Sequence, residues 1–257
     1  MKYLLLPHAS TPGLIALVLI VHFSFQIIAS QFYPAEIPIF AGILYVLSGG
    51  IDLLVAAHMM RKSVDEKKKQ FLYMGVGLCV LGITFMLAGL GIAGFFGLPA
   101  AANTNLGMYL LIIGTGTSAG FFLLSPTNER LHEGPNILLA TLALLVVGVI
   151  ALYQLHHYLP ALYTLAGTPT LWRQQLVTIV LFLFAVAAAR FAFHAKEKTL
   201  SFSTQWNLIG ISVLALVMLN LLLSTRPGDE YSWAGRFFHV LASGAFIQYL
   251  WWDEQGE

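Results

Sequence analysis

Arg236, His239 and Ser243 share one face of an apolar run, WAGRFFHVLASGAFIQYLWW at 233–252, at spacings of three and four residues. An arginine can hold an anion, and a histidine can ligate a metal or carry a proton. Either is costly inside an apolar segment unless it has a partner or a function. Asp52 in SGGIDLL raises the same question, because a carboxylate there must pair, take up a proton or face water. His22 sits mid-run with Gln26 four residues on, Asn220 lies near the end of another run, and Gln154, His156 and His157 cluster at the end of a third. The candidate ligand-binding or switch residues are therefore His239, Arg236, His22, Asp52, Asn220 and His156.

Each has a plainer reading. Arg236 could snorkel to the interface, His22 and Asp52 could make interhelical hydrogen bonds, and His156 could sit among headgroups. The sequence holds no HExxH, GxSxG or P-loop pattern, so no catalytic role is assigned. Cys79 is the single cysteine, which removes disulfides and multi-cysteine metal sites. The last two runs lack the lysine that a retinal Schiff base needs. His22 and His239 could form one axial pair for a b-type heme, though no second pair is evident.

The elements that position these residues follow from composition. The chain has 257 residues, 58% of them hydrophobic and only 10% charged, with a mean hydropathy of +0.79. A soluble domain is nearer one-quarter charged; the net charge of +1 says nothing about nucleic acid, and no nucleic-acid partner is expected. The apolar runs are about 20 residues long, enough to cross about 30 Å of hydrocarbon at 1.5 Å per residue. The expected fold is all-α: one polytopic membrane bundle of about eight helices in a lipid bilayer. The spans are drawn at 13–30, 39–60, 71–96, 106–124, 137–158, 171–193, 205–223 and 233–252.

Basic residues give the expected orientation. With a cytoplasmic N-terminus, ten fall on inner regions: Lys2, Arg61, Lys62, Lys67, Lys68, Lys69, Arg130, Arg190, Lys196 and Lys198. Three, Arg173, Arg226 and Arg236, fall on the outside, and both termini are then cytoplasmic. In this layout His22, His156, Asn220, Arg236 and His239 lie in the outer half and Asp52 in the inner part of its span. A transporter would show repeated halves or broken helices, and neither is visible. A small transporter or intramembrane enzyme stays open as a further alternative.

FAGILYVLSGGIDLL resembles the second helix of bacterial membrane-associated sensor (MASE-type) input domains, with Gly49 or Gly50, Asp52, Leu53 and Leu54 in the family's Gly-x-x-Asp-Leu-Leu layout. Val55 stands where the family commonly has histidine, and the nearest histidine is His58. DEYSWAGRFFHVLASGAFIQYL resembles the family's last helix through Trp233, Gly235 and His239. The resemblance implies a non-enzymatic sensor in the bacterial inner membrane. It implies a cytoplasmic output beyond Glu257, such as a diguanylate cyclase, phosphodiesterase or histidine kinase, and a homodimeric assembly. A ligand or redox group in the outer half would bias the last helix.

Overall fold

The structure, a computed structural model, describes residues 19–20, 38–126, 134–164, 166–196 and 202–254. Among these residues it has seven long helices: α1 Pro38–Glu66, α2 Lys69–Ile92, α3 Ala100–Leu124, α4 Gly134–Leu155, α5 Leu171–Lys196, α6 Phe202–Leu223 and α7 Glu230–Glu254. The expected first span, 13–30, lies outside the described residues except for Leu19 and Ile20, which are helical. Five helices are long and apolar enough to cross a membrane: α1, α2, α3, α5 and α6. The described apolar stretch of α4, Leu139–Leu155, is shorter. α7 has the length, but Arg236, His239 and Gln248 dilute its hydropathy.

Turn chemistry sets the boundaries. Pro38 opens α1, where its missing N–H costs no helical bond. The expected 39–60 span runs on to Glu66, and Lys67 breaks it with a left-handed φ of 54°. α2 stops at Ile92 rather than at 96, because Gly94 and Gly97 take φ of 89° and 67°. Pro99 lies just before α3, which starts six residues earlier than the drawn span. Asp229 caps α7: its Oδ1 accepts from Ser232 N at 2.8 Å, and its Oδ2 from Thr225 N at 2.6 Å.

Hydrocarbon offers helices no hydrophobic drive toward each other, so close backbone approach matters more. α1 and α2 run antiparallel on small residues, with Gly42 against Gly89, Gly49 against Gly82, and Ala56 against Gly75. α2 and α3 do the same at Thr84 with Gly114 and Ala88 with Gly107. Hydroxyls on these faces are satisfied inside their own helices: Thr84, Thr115 and Ser48 donate to carbonyls of the preceding turn.

α6 and α7 are antiparallel, with Asn220 facing Gly235 and Phe246 facing Gly210. α1 and α7 run parallel. Phe40 meets Trp233 near one end and Lys62 pairs with Asp253 at the other. The bundle therefore has a basic end, with Arg61, Lys62, Lys67, Lys68, Lys69, Arg190 and Lys196, and an opposite end with Arg173 and Arg226.

The linker at 156–170 is folded down onto the opposite end. Asn105 Oδ1 accepts from Leu162 N at 2.8 Å and Tyr163 N at 3.0 Å. Tyr109 OH donates to Pro160 O at 2.6 Å and accepts from Trp172 Nε1 at 3.1 Å.

Candidate functional site

α1, α2 and α7 meet around a buried polar cluster. His239 Nε2 lies 2.8 Å from Asp52 Oδ2. The Ser243 hydroxyl donates to Asp52 Oδ1 at 2.6 Å, and His239 O lies 3.1 Å from the same hydroxyl. Asp52 and His239 are each 1% exposed. The Phe85 ring of α2 covers the imidazole at a centroid distance of 3.8 Å. Both carboxylate oxygens are therefore engaged from α7, as a buried carboxylate requires. The cluster is not a nucleophilic triad, because Ser243 bonds the carboxylate and not the imidazole.

Asp52 thus sits at the level of His239, not below it. The cause is the length of α1, which runs to Glu66 and leaves Asp52 at its middle. Arg236 does not snorkel outward. It is buried, with its guanidinium 5.4 Å from the Tyr45 ring and 4.6 Å from the Trp233 ring. Asn220 is buried opposite Gly235 and donates to Leu216 O at 2.8 Å. His156 stands apart from these groups: its Nδ1 lies 2.6 Å from Tyr153 O and its ring lies against that of His157, tilted by 40°. His22 lies outside the described residues.

One turn above His239 on α7 is a cavity of about 330 Å³. Arg236 and Ser232 of α7 line it, with Tyr45 of α1, Asn103 and Thr104 of α3, and Tyr163 of the linker. Ile92, Leu98, Met108 and Leu221 complete an apolar side. This mixture of apolar wall and a few polar groups is typical of small-ligand pockets.

Tyr163 is held by Arg173, whose guanidinium sits 4.7 Å from its ring and donates to Leu221 O and Ser224 O at 2.5 and 3.3 Å. Burial pushes the Tyr163 phenol up to about 12, against the downward pull of Arg173. The wall therefore presents Tyr163 as a neutral group at ordinary pH.

Sequence reasoning singled out Arg236 but missed Tyr45, Asn103 and Tyr163. Asn103 was assigned to a loop, and only the early start of α3 brings it inside. Tyr45 lies inside the drawn 39–60 span and Tyr163 in the linker after 158, and neither stands in a pattern that marks chemistry.

The residues do not fit heme ligation by His239. Its Nε2 already faces Asp52, and Phe85 covers the ring. A neighbouring cavity lined by Phe85 and Gly235 measures only about 20 Å³, room for one water molecule. A larger cleft of about 510 Å³ lies between α4 and the α2–α3 pair. Of its three threonines, Thr84 and Thr141 donate to their own helices, and Thr117 leaves one further hydroxyl in an otherwise apolar wall. Among the described residues no group of three metal-ligating side chains converges.

Compared with family models, curated proteins and solved structures, the chain matches none of them.

Proposed function

We propose that this chain is a membrane-embedded sensor that takes a small ligand in the 330 Å³ cavity and relays its occupancy along α7. One observation carries the reading: wall and latch belong to the same helix. Arg236 lines the cavity, and His239, three residues on, is fastened to Asp52 of α1. The same helix ends with Asp253 paired to Lys62 at the basic end. A ligand can shift such a helix only by its differential affinity for the two arrangements, and a wall formed by the moving helix supplies that difference.

The basic end faces the cytoplasm in this reading, because lysine and arginine concentrate there. The chain then spans the bacterial inner membrane, with eight spans and both termini inside. Its partners are a second copy and a cytoplasmic output of the cyclase, phosphodiesterase or kinase type, as the resemblance to MASE-type domains implies.

The test uses spin labels at the exposed residues Lys67 and Trp251, at the basic end. Ala100→Trp at the first residue of α3 places an indole at the cavity as a permanent occupant. The expected result is a shifted label–label distance, abolished when His239→Gln is added. An unchanged distance in the filled protein would sink the relay.

A further inference from the structure

Asn103 is buried and lines the cavity, and its Oδ1 has no hydrogen-bond partner among the described residues. The orientation of the amide is settled by its own bonding. Nδ2 donates to Leu98 O at 2.7 Å, so the other atom must be the acceptor. A buried acceptor left unpaired is disfavoured, and a donor brought to it regains a full hydrogen bond. Thr104 cannot supply that donor, since its hydroxyl is already given to Ala100 O at 3.0 Å.

The rest of the wall narrows the chemistry. Arg236 places a guanidinium in it, and in a low-dielectric site a cationic ligand is repelled with little screening. Ile92, Leu98, Met108 and Leu221 want an apolar body, and the Tyr45 and Tyr163 rings suit a flat one. A volume of about 330 Å³ is at the small end for ligand pockets.

We infer that the cavity selects a non-cationic, ring-sized apolar molecule carrying one hydroxyl or N–H donor, which it gives to Asn103 Oδ1. The inference rests on the sensor reading for its purpose but not for its chemistry.

Three probes of one size separate the two determinants. Benzyl alcohol has the donor, toluene lacks it, and benzylammonium adds the positive charge. Each is titrated into the full chain in lipid nanodiscs, and binding is followed by the ¹³C-methyl resonance of Met108 in the cavity wall. Benzyl alcohol is expected to bind about tenfold tighter than toluene, the scale of one buried hydrogen bond, and benzylammonium not to bind. Asn103→Leu should bring the alcohol-to-toluene ratio close to one. Equal affinities in the unaltered protein, or a ratio that survives Asn103→Leu, would overturn the inference.

If Asn103→Leu does not fold, the comparison of probes on the unaltered chain still decides the matter. Ala100→Trp should then remove every shift. Toluene binding as well as benzyl alcohol would discard this ligand chemistry and leave the sensor reading standing. Failure of all three probes to move Met108 would remove the cavity as a ligand site and take both readings with it.

Discussion

His239 Nε2 stands 2.8 Å from Asp52 Oδ2, across 187 residues of sequence and at the centre of two parallel helices. Neither residue is stable alone in an apolar core. Each makes the other tolerable, and together with Ser243 they fix the depth of α7 against α1.

Removing one partner should therefore cost more than removing both. Asp52→Leu or His239→Leu alone leaves an uncompensated buried polar group, at about 3–5 kcal/mol. That corresponds to a fall of roughly 6–20 °C in Tm for a chain of this size. The double replacement should recover much of the loss, because two apolar side chains then pack together. Thermal unfolding of the four proteins in one detergent checks it. Additive losses would show that the pair is not coupled.

The sequence made Asp52 and His239 conspicuous for a sound reason, since ionisable groups in apolar runs need partners. It could not pair them. Which residue of α1 faces which residue of α7 depends on helix lengths and register, and the drawn end of α1 at 60 placed Asp52 too deep. Helix existence was legible because apolar runs of about 20 residues have few alternatives. Snorkelling stayed open as the plainer reading of Arg236 because its shelter comes in part from Tyr45, nearly two hundred residues away. Asn103 was hidden because the span was drawn from the apolar run at Leu106, although Pro99 and the three alanines after it mark an earlier helix start.

Adjacent glycines should respond in opposite directions. A Cβ at Gly49 would lie 2.5 Å from Gly82 O and 2.8 Å from Met86 Cγ, so the helices must part. Overpacking of this kind costs about 1–3 kcal/mol. At Gly50 nothing lies within 4 Å, and alanine should gain up to about 1 kcal/mol of helix propensity. Gly49→Ala should lower Tm while Gly50→Ala leaves it equal or higher. The reverse order would refute the α1–α2 interface.

The linker should show an alkaline limit. The Tyr163 phenol is raised to about 12 in the folded protein, from an ordinary value of 10.0, chiefly by burial. Between these values the unfolded chain has lost the proton and the folded chain keeps it. The unfolded state then binds fewer protons, so stability falls as pH rises. Below about pH 10 the contribution is complete, and by pH 12 about 2–3 kcal/mol has gone. Tyr163→Phe should lose less stability over that window. Unfolding curves of the two proteins between pH 9 and 12, if they ran parallel, would contradict the buried neutral phenol.

Asp229 should control the start of α7. Its carboxylate accepts from Ser232 N, Thr225 N and Arg226 N, at 2.8, 2.6 and 3.3 Å. Asp229→Ala removes the cap, which typically costs about 1 kcal/mol, and frees Ser232 at the cavity wall. Amide exchange should rise over residues 230–233 and stay low around Ser243, which the Asp52 latch holds. Uniform protection along the helix would show that the cap is dispensable.

The two ends of the bundle should report opposite sides of the membrane. Lys67 is exposed in the α1–α2 turn, among the lysines that mark the basic end, and Ala166 is exposed in the linker at the other end. Native Cys79 is buried in α2 and should stay silent. In the proposed orientation, which follows the distribution of basic residues, the α1–α2 turn is cytoplasmic. In intact cells a membrane-impermeant maleimide should therefore label Ala166→Cys and leave Lys67→Cys unlabelled until the membrane is opened. The reversed pattern would turn the bundle over, and would place the 330 Å³ cavity on the cytoplasmic side, where the proposed sensor could not report an external cue. Labelling of both positions in intact cells would mean that α2 and the helices after it do not hold a single orientation.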